Sequence, residues 1–451
     1  MTQSSAPIKI NTQPLESVKS DIKPSNLARM RVQSLQGKGL HGEITVSGAK
    51  NAALKHMCAA LLTDEPMVFT NCPNGLQDVK TLAQLLTHLG VVVGLRRDST
   101  LTLHAQSIQS HCAPYDLVRK MRASVLVLGP LLARHGIAEV SLPGGCALGA
   151  RPIDLHLQGF KAMGATIELQ DGYVRATAPE GGLRGADITF PVVSVGATEN
   201  VMMAATLAKG ETILRNAAQE PEIVDQGEAL IKMGAKITGL GTSVIRIQGV
   251  EHLHGASHSI VPDRIEAGTY LCAVGLCGGK VTVNNVVPEH MQSLITPLRQ
   301  AGLTITETQD SITAEKPMGM RLKAVDVETA PYPGFATDWQ AQFMVMMTLC
   351  DGVSTINETI FENRFMHVPE LCRMGANIQI KGNMAVIKGV ESLSSAEVMA
   401  TDLRASIAMV LAGLTAKDQG DTIVNRIYHL ERGYENIAEK LRGIGAQIEK
   451  E

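Results

Sequence analysis

Six times along the chain, a run with apolar side chains at helical spacing closes on a glycine and passes into a short alternating segment. The closures read LTHLGVVV at Gly90, FKAMGATI at Gly164, LIKMGAKI at Gly234, LRQAGLTI at Gly302, LCRMGANI at Gly375 and LRGIGAQI at Gly445. They recur about every 70 residues, the period of a supersecondary unit. The glycine suits the left-handed residue that ends many helices, and the alternation after it predicts a strand. Upstream of most copies stands a second signature: EPMVFTN ending at Asn71, GETILRN at Asn216, GKVTVNN at Asn285, VSTINE at Glu358 and GDTIVNR at Arg426. These read as short strands ending in turn residues. An Ala-, Met- and Leu-rich stretch of about three helical turns precedes each copy, at 51–62, 121–133, 197–208, 265–276, 340–349 and 403–416.

The pattern predicts an α/β protein of six βαβαββ repeats. Two helices on one face of a short sheet cover only that face, so units must pack together, and six divide into two lobes of three. Asp263 opens the fourth unit, which places the division at residues 50–262 against 263–451, with 31–49 joining the second lobe. The chain then crosses between lobes twice, and a cleft between lobes is the expected place for a ligand. Residues 1–30 are rich in Ser, Pro and Lys and lack an apolar core of their own; they read as a disordered tail, neither signal nor anchor.

Composition narrows the chemistry. The 451 residues are 45% hydrophobic and 19% charged, with 41 basic and 44 acidic side chains for a net charge of -3. That balance offers no global field for nucleic acid or an anionic membrane, so any anion site is local. Eight cysteines, at 58, 72, 112, 146, 272, 277, 350 and 372, form neither a CxxC pair nor a zinc-spaced cluster, which suggests reduced thiols and a cytoplasmic location. The most apolar run, 124–133, is about half the length of a membrane span.

Charge collects at one end of every unit. The inner helices open on SGAKNAA at Lys50, VRKMRAS at Arg122, VSVGATEN at Ser194, PDRIEAG at Arg264, ATDWQAQ at Asp338 and ATDLRAS at Arg404. Capping by Ser and Asp beside solvated basic residues accounts for any one turn; six equivalent turns, four with Lys or Arg, point to converging helix N-termini that bind phosphates and carboxylates. The segment SLPGGCALGARPIDLH, 141–156, carries more Gly and Pro than a helix-to-strand connection requires and reads as a mobile loop, with the catalytic part over 141–152. Arg151 and the glycine backbone would lower the Cys146 thiol pKa, making it an acid or nucleophile.

Asp338 and Asp402 each follow Ala-Thr, where capping and a functional role are both open. In IFENRFMHVPEL, 360–371, an Arg364–Glu362 pair stabilising the loop is the plain reading, and His367 has no partner at metal-ligand spacing. YHLERGYENI around Arg432 reads equally as a surface helix entry. No GxGxxG after a strand, Walker loop or GxSxG elbow occurs, which removes support for nicotinamide, ATP or serine-hydrolase chemistry.

The motifs SGAKNAAL, CAPYDLVRKMRAS, SLPGGCALGARPIDLH, VSVGAT, EPEIVD, PDRIEAGT, TDWQAQF, FENRFMHVPEL, MATDLRAS and IYHLERGYE, in this order from about Met30 to the C-terminus, closely resemble the UDP-N-acetylglucosamine enolpyruvyl transferase family. The resemblance implies a two-lobed inside-out α/β barrel, helices inside and sheets outside. It implies transfer of the enolpyruvyl group of phosphoenolpyruvate to the 3-hydroxyl of UDP-N-acetylglucosamine, the step that opens peptidoglycan synthesis, with phosphate released and no metal or organic cofactor. By motif, Cys146 would be the catalytic thiol and Asp338 the base on the sugar hydroxyl. Lys50, Arg122, Arg151 and Arg432 would hold phosphoenolpyruvate, Arg404 would lend further charge, and Asn51 would contact the sugar or the intermediate. Uridine diphosphate would lie along Arg151, Pro152, Ile153, Asp154 and Leu155 and along Ser194, Val195 and Gly196, with Ile360 near the sugar. The partners implied are these two small molecules, with neither nucleic acid nor membrane, and a monomer is compatible.

Val192 stands where many relatives carry a lysine near the nucleotide, Leu126 where some carry a tryptophan, and Ala147 where a threonine or serine is common. The rival within the class is the transferase acting on shikimate 3-phosphate; the GGC loop and VSVGAT favour the UDP-sugar enzyme. From another class, a non-catalytic RNA or nucleotide-sugar binder would need stacking platforms and a basic stripe, and 3% aromatic content with a net charge of -3 offers little of either. An inactive paralogue acting as a regulator is opposed by retention of Cys146, Asp338 and the expected arginines.

Overall fold

The computed structural model describes residues 28–119, 121–142, 153–418 and 420–451. The six repeat glycines all adopt left-handed backbone, with φ between 91° and 106°. Each therefore ends a helix where a side chain would be strained. Asn71, Asn216, Asn285 and Arg426 are left-handed too, with φ of 54° to 61°. The three asparagines do more than turn. Their amides donate to the carbonyls of Ile260, Phe190 and Val46 at 2.8, 2.9 and 2.8 Å. Each of those carbonyls lies just past the end of a parallel edge strand, so one residue type both reverses the chain and pins a neighbouring strand.

The described residues form six four-stranded sheets of one pattern: a short edge strand parallel to a central strand, then two antiparallel strands. Units complete one another's sheets with strands from distant parts of the chain. Ser257–Ser259, after the third unit, is the edge of the first sheet beside Met67–Thr70. Leu40–Thr45, before the first inner helix, is the edge of the fourth sheet beside Gly279–Asn284. The sixth sheet is completed by Arg29–Gln33, which lies between Thr422–Asn425 and Gln447–Lys450. Arg29 and Met30 therefore belong to a strand and not to the expected tail, of which residues 1–27 lie outside the described residues; the sequence around Arg29 is too short and polar to announce a pairing with Asn425.

Two hydrophobic cores result, one drawn from residues 49–260 and the other from 30–46 together with 265–448. The helices Lys50–Ala59, Leu128–His135 and Val195–Ala205 lie inside the first; Arg264–Cys277, Gln340–Thr348 and Leu403–Gly413 lie inside the second. Every residue of Arg264–Cys277 except Cys277 is buried, its two charged side chains, Arg264 and Glu266, being paired with Glu222 and Lys440. Strands such as Tyr173–Thr177 alternate buried and exposed, showing one face to solvent. Among the described residues no helix is long and apolar enough to cross a membrane.

Inside the first core Lys55 Nζ lies 3.2 Å from Glu199 Oε2. Burial, opposed by Lys55, pushes the Glu199 carboxyl up to about 8. A carboxyl whose folded pKa exceeds its unfolded value stabilises the fold at low pH, and that contribution is lost as pH rises through about 8. Glu199→Gln, which stays neutral, should flatten the fall in melting temperature between pH 4.5 and about 8, the interval between the ordinary and the folded value. An unchanged slope in calorimetry would mean that Glu199 does not titrate there.

Candidate active site

One inner helix from each lobe shares a single carboxylate. Asp263 Oδ1 caps Arg264–Cys277 by accepting from the amides of Ile265 and Glu266 at 2.9 and 3.0 Å. Its Oδ2 accepts from the amide of Lys50, the first residue of Lys50–Ala59, at 3.2 Å. Two helix N-termini, each with partial positive charge, are thereby held side by side at the crossing.

The Lys50 side chain turns to Asp78, its Nζ 3.5 Å from Oδ2. The other oxygen of Asp78 accepts from Arg432 Nε at 2.9 Å, so a carboxylate of the first lobe joins cations from both lobes. Burial lowers the Lys50 pKa, and Arg404 and Arg432 add to the fall while Asp78 and Asp338 oppose it. Asp338 stands in the short turn Thr337–Trp339. Its Oδ1 accepts from Arg364 at 2.7 Å and its Oδ2 from Arg404 at 3.0 Å. Burial alone would raise the Asp338 pKa; Arg404, Arg364 and Lys50 outweigh it and hold the carboxyl well below its usual range. Arg404 is itself fixed, its guanidinium 5.2 Å from the centre of the Tyr434 ring. Lys50, Arg364, Arg404 and Arg432 thus face two carboxylates, Asp78 and Asp338, in one partly buried cluster suited to an anion.

The twin sequences around Asp338 and Asp402 part ways. Asp402 is a helix cap, accepting from the amides of Arg404 and Ala405 at 2.8 and 3.0 Å. Asp338 caps nothing and spends both oxygens on arginines. The expected Arg364–Glu362 pair does not form: Glu362 is exposed and Arg364 is buried against Asp338. The ion pair to Asp338 comes from a residue 26 positions away, beyond what local spacing reveals.

A second group gathers in the first lobe. Ser194 caps Val195–Ala205 by accepting from the amide of Ala197 at 3.3 Å. Beneath Gly196 lies the buried His156 ring, 3.3 Å from where a Cβ would stand. His156 Nδ1 accepts from the Asn200 amide at 3.0 Å, and burial, with Arg122 nearby, lowers its pKa to about 4, so the ring is neutral. Ile153 is buried, Asp154 exposed and Leu155 half-buried at the start of Asp154–Ala162. Arg122 opens the turn Arg122–Val127, which packs against Lys50–Ala59 and Val195–Ala205. Asn51 and Ile360 are half-buried, and the Ile360 amide donates to Glu358 Oε1 at 2.9 Å. Glu358 Oε2 also accepts from Thr337 beside Asp338, which ties the Ile360 loop to that turn. Cys146, Ala147, Arg151 and Pro152 lie outside the described residues.

Sequence reasoning missed Asp78, which in LQDVK looks like a first-turn acid. It also missed the pairing of Glu222 with Arg264, at 3.1 and 3.3 Å, although EPEIVD and PDRIEAG were both conspicuous. Among the described residues one group has metal-ligand potential: His56, Asp225 and His258. They sit at hydrogen-bond distance, 2.6 and 2.8 Å from each ring to the shared carboxylate.

Residues 35–441 match the family model described as EPSP synthase (3-phosphoshikimate 1-carboxyvinyltransferase). The UDP-N-acetylglucosamine 1-carboxyvinyltransferase of Maricaulis maris is 56% identical over 414 residues, 92% of this chain and 97% of that protein. Proteins of the same name from Hyphomonas neptunium and Zymomonas mobilis are 57% and 55% identical, covering 93% of this chain and 98% and 99% of their own. Among solved structures, the enolpyruvyl transferase NikO from Streptomyces tendae superposes with a TM-score of 0.81 at 24% identity, over 94% of this chain and 99% of that one. An EPSP synthase from Acinetobacter baumannii gives 0.71 at 17%, over 94% and 100%. These two likenesses concern the fold.

Proposed function

The chain belongs to the EPSP synthase family of enolpyruvyl transferases, and with its relatives at 55–57% identity it stands among the UDP-N-acetylglucosamine 1-carboxyvinyltransferases; from that premise we propose the reaction it performs and the residues that perform it. The enolpyruvyl group of phosphoenolpyruvate passes to the 3-hydroxyl of UDP-N-acetylglucosamine and inorganic phosphate leaves. The carrying observation is an ionised carboxylate, Asp338, held by the buried Arg364 and Arg404, beside Lys50 and Arg432, which share Asp78.

The chemistry requires that arrangement. Protonation of the enol methylene leaves a cationic carbon, the sugar hydroxyl loses a proton as it attacks, and the tetrahedral intermediate then gives up one proton of its new methyl group as it expels phosphate, which restores the enol double bond. Asp338 takes the hydroxyl proton. Cys146 delivers the proton to the methylene, or assists product release through a covalent adduct. Lys50, Arg122, Arg151, Arg404 and Arg432 hold the phosphate and carboxylate of phosphoenolpyruvate, with Asn51 against the sugar. Nucleotide binding falls to Arg151, Pro152, Ile153, Asp154 and Leu155 with Ser194, Val195 and Gly196, and Ile360 borders the sugar. The Asp338 carboxylate begins in the grip of Arg364 and Arg404. An incoming phosphate competes for Arg404, and loosening that pair raises the basicity of Asp338 when a base is required. The step would open peptidoglycan synthesis in the cytoplasm, without a metal or organic cofactor.

Phosphate release from phosphoenolpyruvate tests the assignment. Release should depend on UDP-N-acetylglucosamine and be absent with shikimate 3-phosphate; the reverse outcome sinks the assignment. Fosfomycin, an epoxide that alkylates thiols, should inactivate the wild type and spare Cys146→Asp. Equal inactivation of both would remove Cys146 as its target.

A further inference from the structure

The segment around Arg432 touches both lobes within four residues. Arg432 reaches Asp78 of the first lobe. Tyr434 turns back into the second, its ring against Arg404 and its hydroxyl 2.9 Å from both Thr269 Oγ1 and Gln342 Nε2. Glu435 then reaches outward again. Its Oε1 accepts from the Gly75 amide at 2.6 Å, and its Oε2 accepts from Ser47 Oγ at 2.6 Å.

Both contacts bear on the anion cluster. Gly75 lies in the turn before Gln77–Leu89, the helix whose first turn carries Asp78. Ser47 lies on the crossing segment shortly before Lys50, and its hydroxyl also accepts from Lys440 Nζ at 3.1 Å. The glycine is required by space. A Cβ at Gly75 would stand 2.6 Å from Glu435 Oε1 and 3.0 Å from its Cγ, so any side chain there drives the carboxylate off the amide.

We propose that Glu435 is a positioning residue, a clasp between lobes that seats the Gly75 turn and so sets Asp78, Lys50 and Arg432 in register to hold phosphoenolpyruvate. It touches neither substrate. The inference rests on the enolpyruvyl-transfer reading.

The test is a cycle of Glu435→Ala, Gly75→Ala and the double variant, with Glu435→Gln beside them. Loss of charge-assisted hydrogen bonds at this strength predicts that Glu435→Ala raises KM for phosphoenolpyruvate about tenfold while KM for the UDP-sugar moves less than about twofold. Gly75→Ala should reproduce that split, the double variant should be no worse than the poorer single, and Glu435→Gln, whose carboxamide oxygen still accepts, should recover most of the loss. Unchanged KM values, multiplied losses in the double variant, or equal rises for both substrates without rescue would overturn the clasp. Thermal unfolding of the same four proteins without substrate separates this from the functional reading. A wild type that releases no phosphate with the UDP-sugar defeats that reading, while coupled shifts in melting temperature would still uphold the contact and additive shifts would overturn it.

Discussion

Asp338→Asn is expected to lower kcat by about 10²- to 10⁴-fold, the range for losing a positioned general base. The variant keeps the shape of the side chain and removes its charge, so an intact fold with failed turnover isolates the proton transfer. Its effect on KM for phosphoenolpyruvate should be the opposite of a binding loss. Arg364 and Arg404, each bonded to Asp338 at 2.7 and 3.0 Å, are freed from a competing anion and should hold the substrate at least as tightly. The wild-type acid limb follows from the same cluster. A carboxyl held well below its usual range is ionised throughout the working span, so activity should not fall from Asp338 titration as pH drops from 7 to 5, a window above even an ordinary aspartate pKa of about 3.9. Unimpaired kcat in Asp338→Asn would remove it as the base. A steep acid limb between those pH values that disappears in the variant would show that the arginines do not hold it ionised.

The repeat was legible because its signals are local. A glycine at the end of a helix or an asparagine in a left-handed turn has its conformation decided within a few residues, and Gly90 through Gly445 and Asn71, Asn216 and Asn285 behave accordingly. The exchange of strands was only partly legible. The strand before Lys50 follows to the second lobe once Asp263 opens the fourth unit, but Arg29–Gln33 finds partners almost at the other end of the chain, and nothing in RMRVQ names Thr422–Asn425. The site divides the same way. Lys50 and Arg404 were conspicuous as cations at equivalent helix starts, whereas Arg432 read equally as part of a surface helix entry. What they are paired with was not: Ala-Thr precedes both Asp338 and Asp402, and only distant arginines make one a charged centre and leave the other a cap. Asp78 illustrates the limit most plainly, since an acid in the first turn of an amphipathic helix is ordinary until Lys50 and Arg432 arrive from two lobes.

Lys50→Met should reduce kcat/KM for phosphoenolpyruvate by about 10²- to 10³-fold, as for removal of a fixed charge at a developing anion, and should melt no lower than the wild type. The two halves of that expectation have one cause. Burial, with Arg404 and Arg432 adding to it, lowers the Lys50 pKa in the folded state, despite Asp78. For a lysine so shifted the sign is unfavourable at neutral pH: the charged form is less welcome in the folded chain than in the unfolded one, so the native cation is held at a cost in stability that vanishes only as pH rises through both pKa values. Function retains what stability would discard. The same shift brings the alkaline limb of kcat/KM below the ordinary lysine value of about 10.4, because the cation is lost earlier. Asp78 is the strongest influence holding that limb up, so Asp78→Asn should move it to lower pH and, by loosening Arg432, raise KM for phosphoenolpyruvate about tenfold or more. Lys50→Arg, which cannot titrate in this range, should abolish the limb whatever activity it keeps. A limb that stays in place in Asp78→Asn, or survives in Lys50→Arg, would assign it to another group and break the link between Lys50 burial and phosphoenolpyruvate binding.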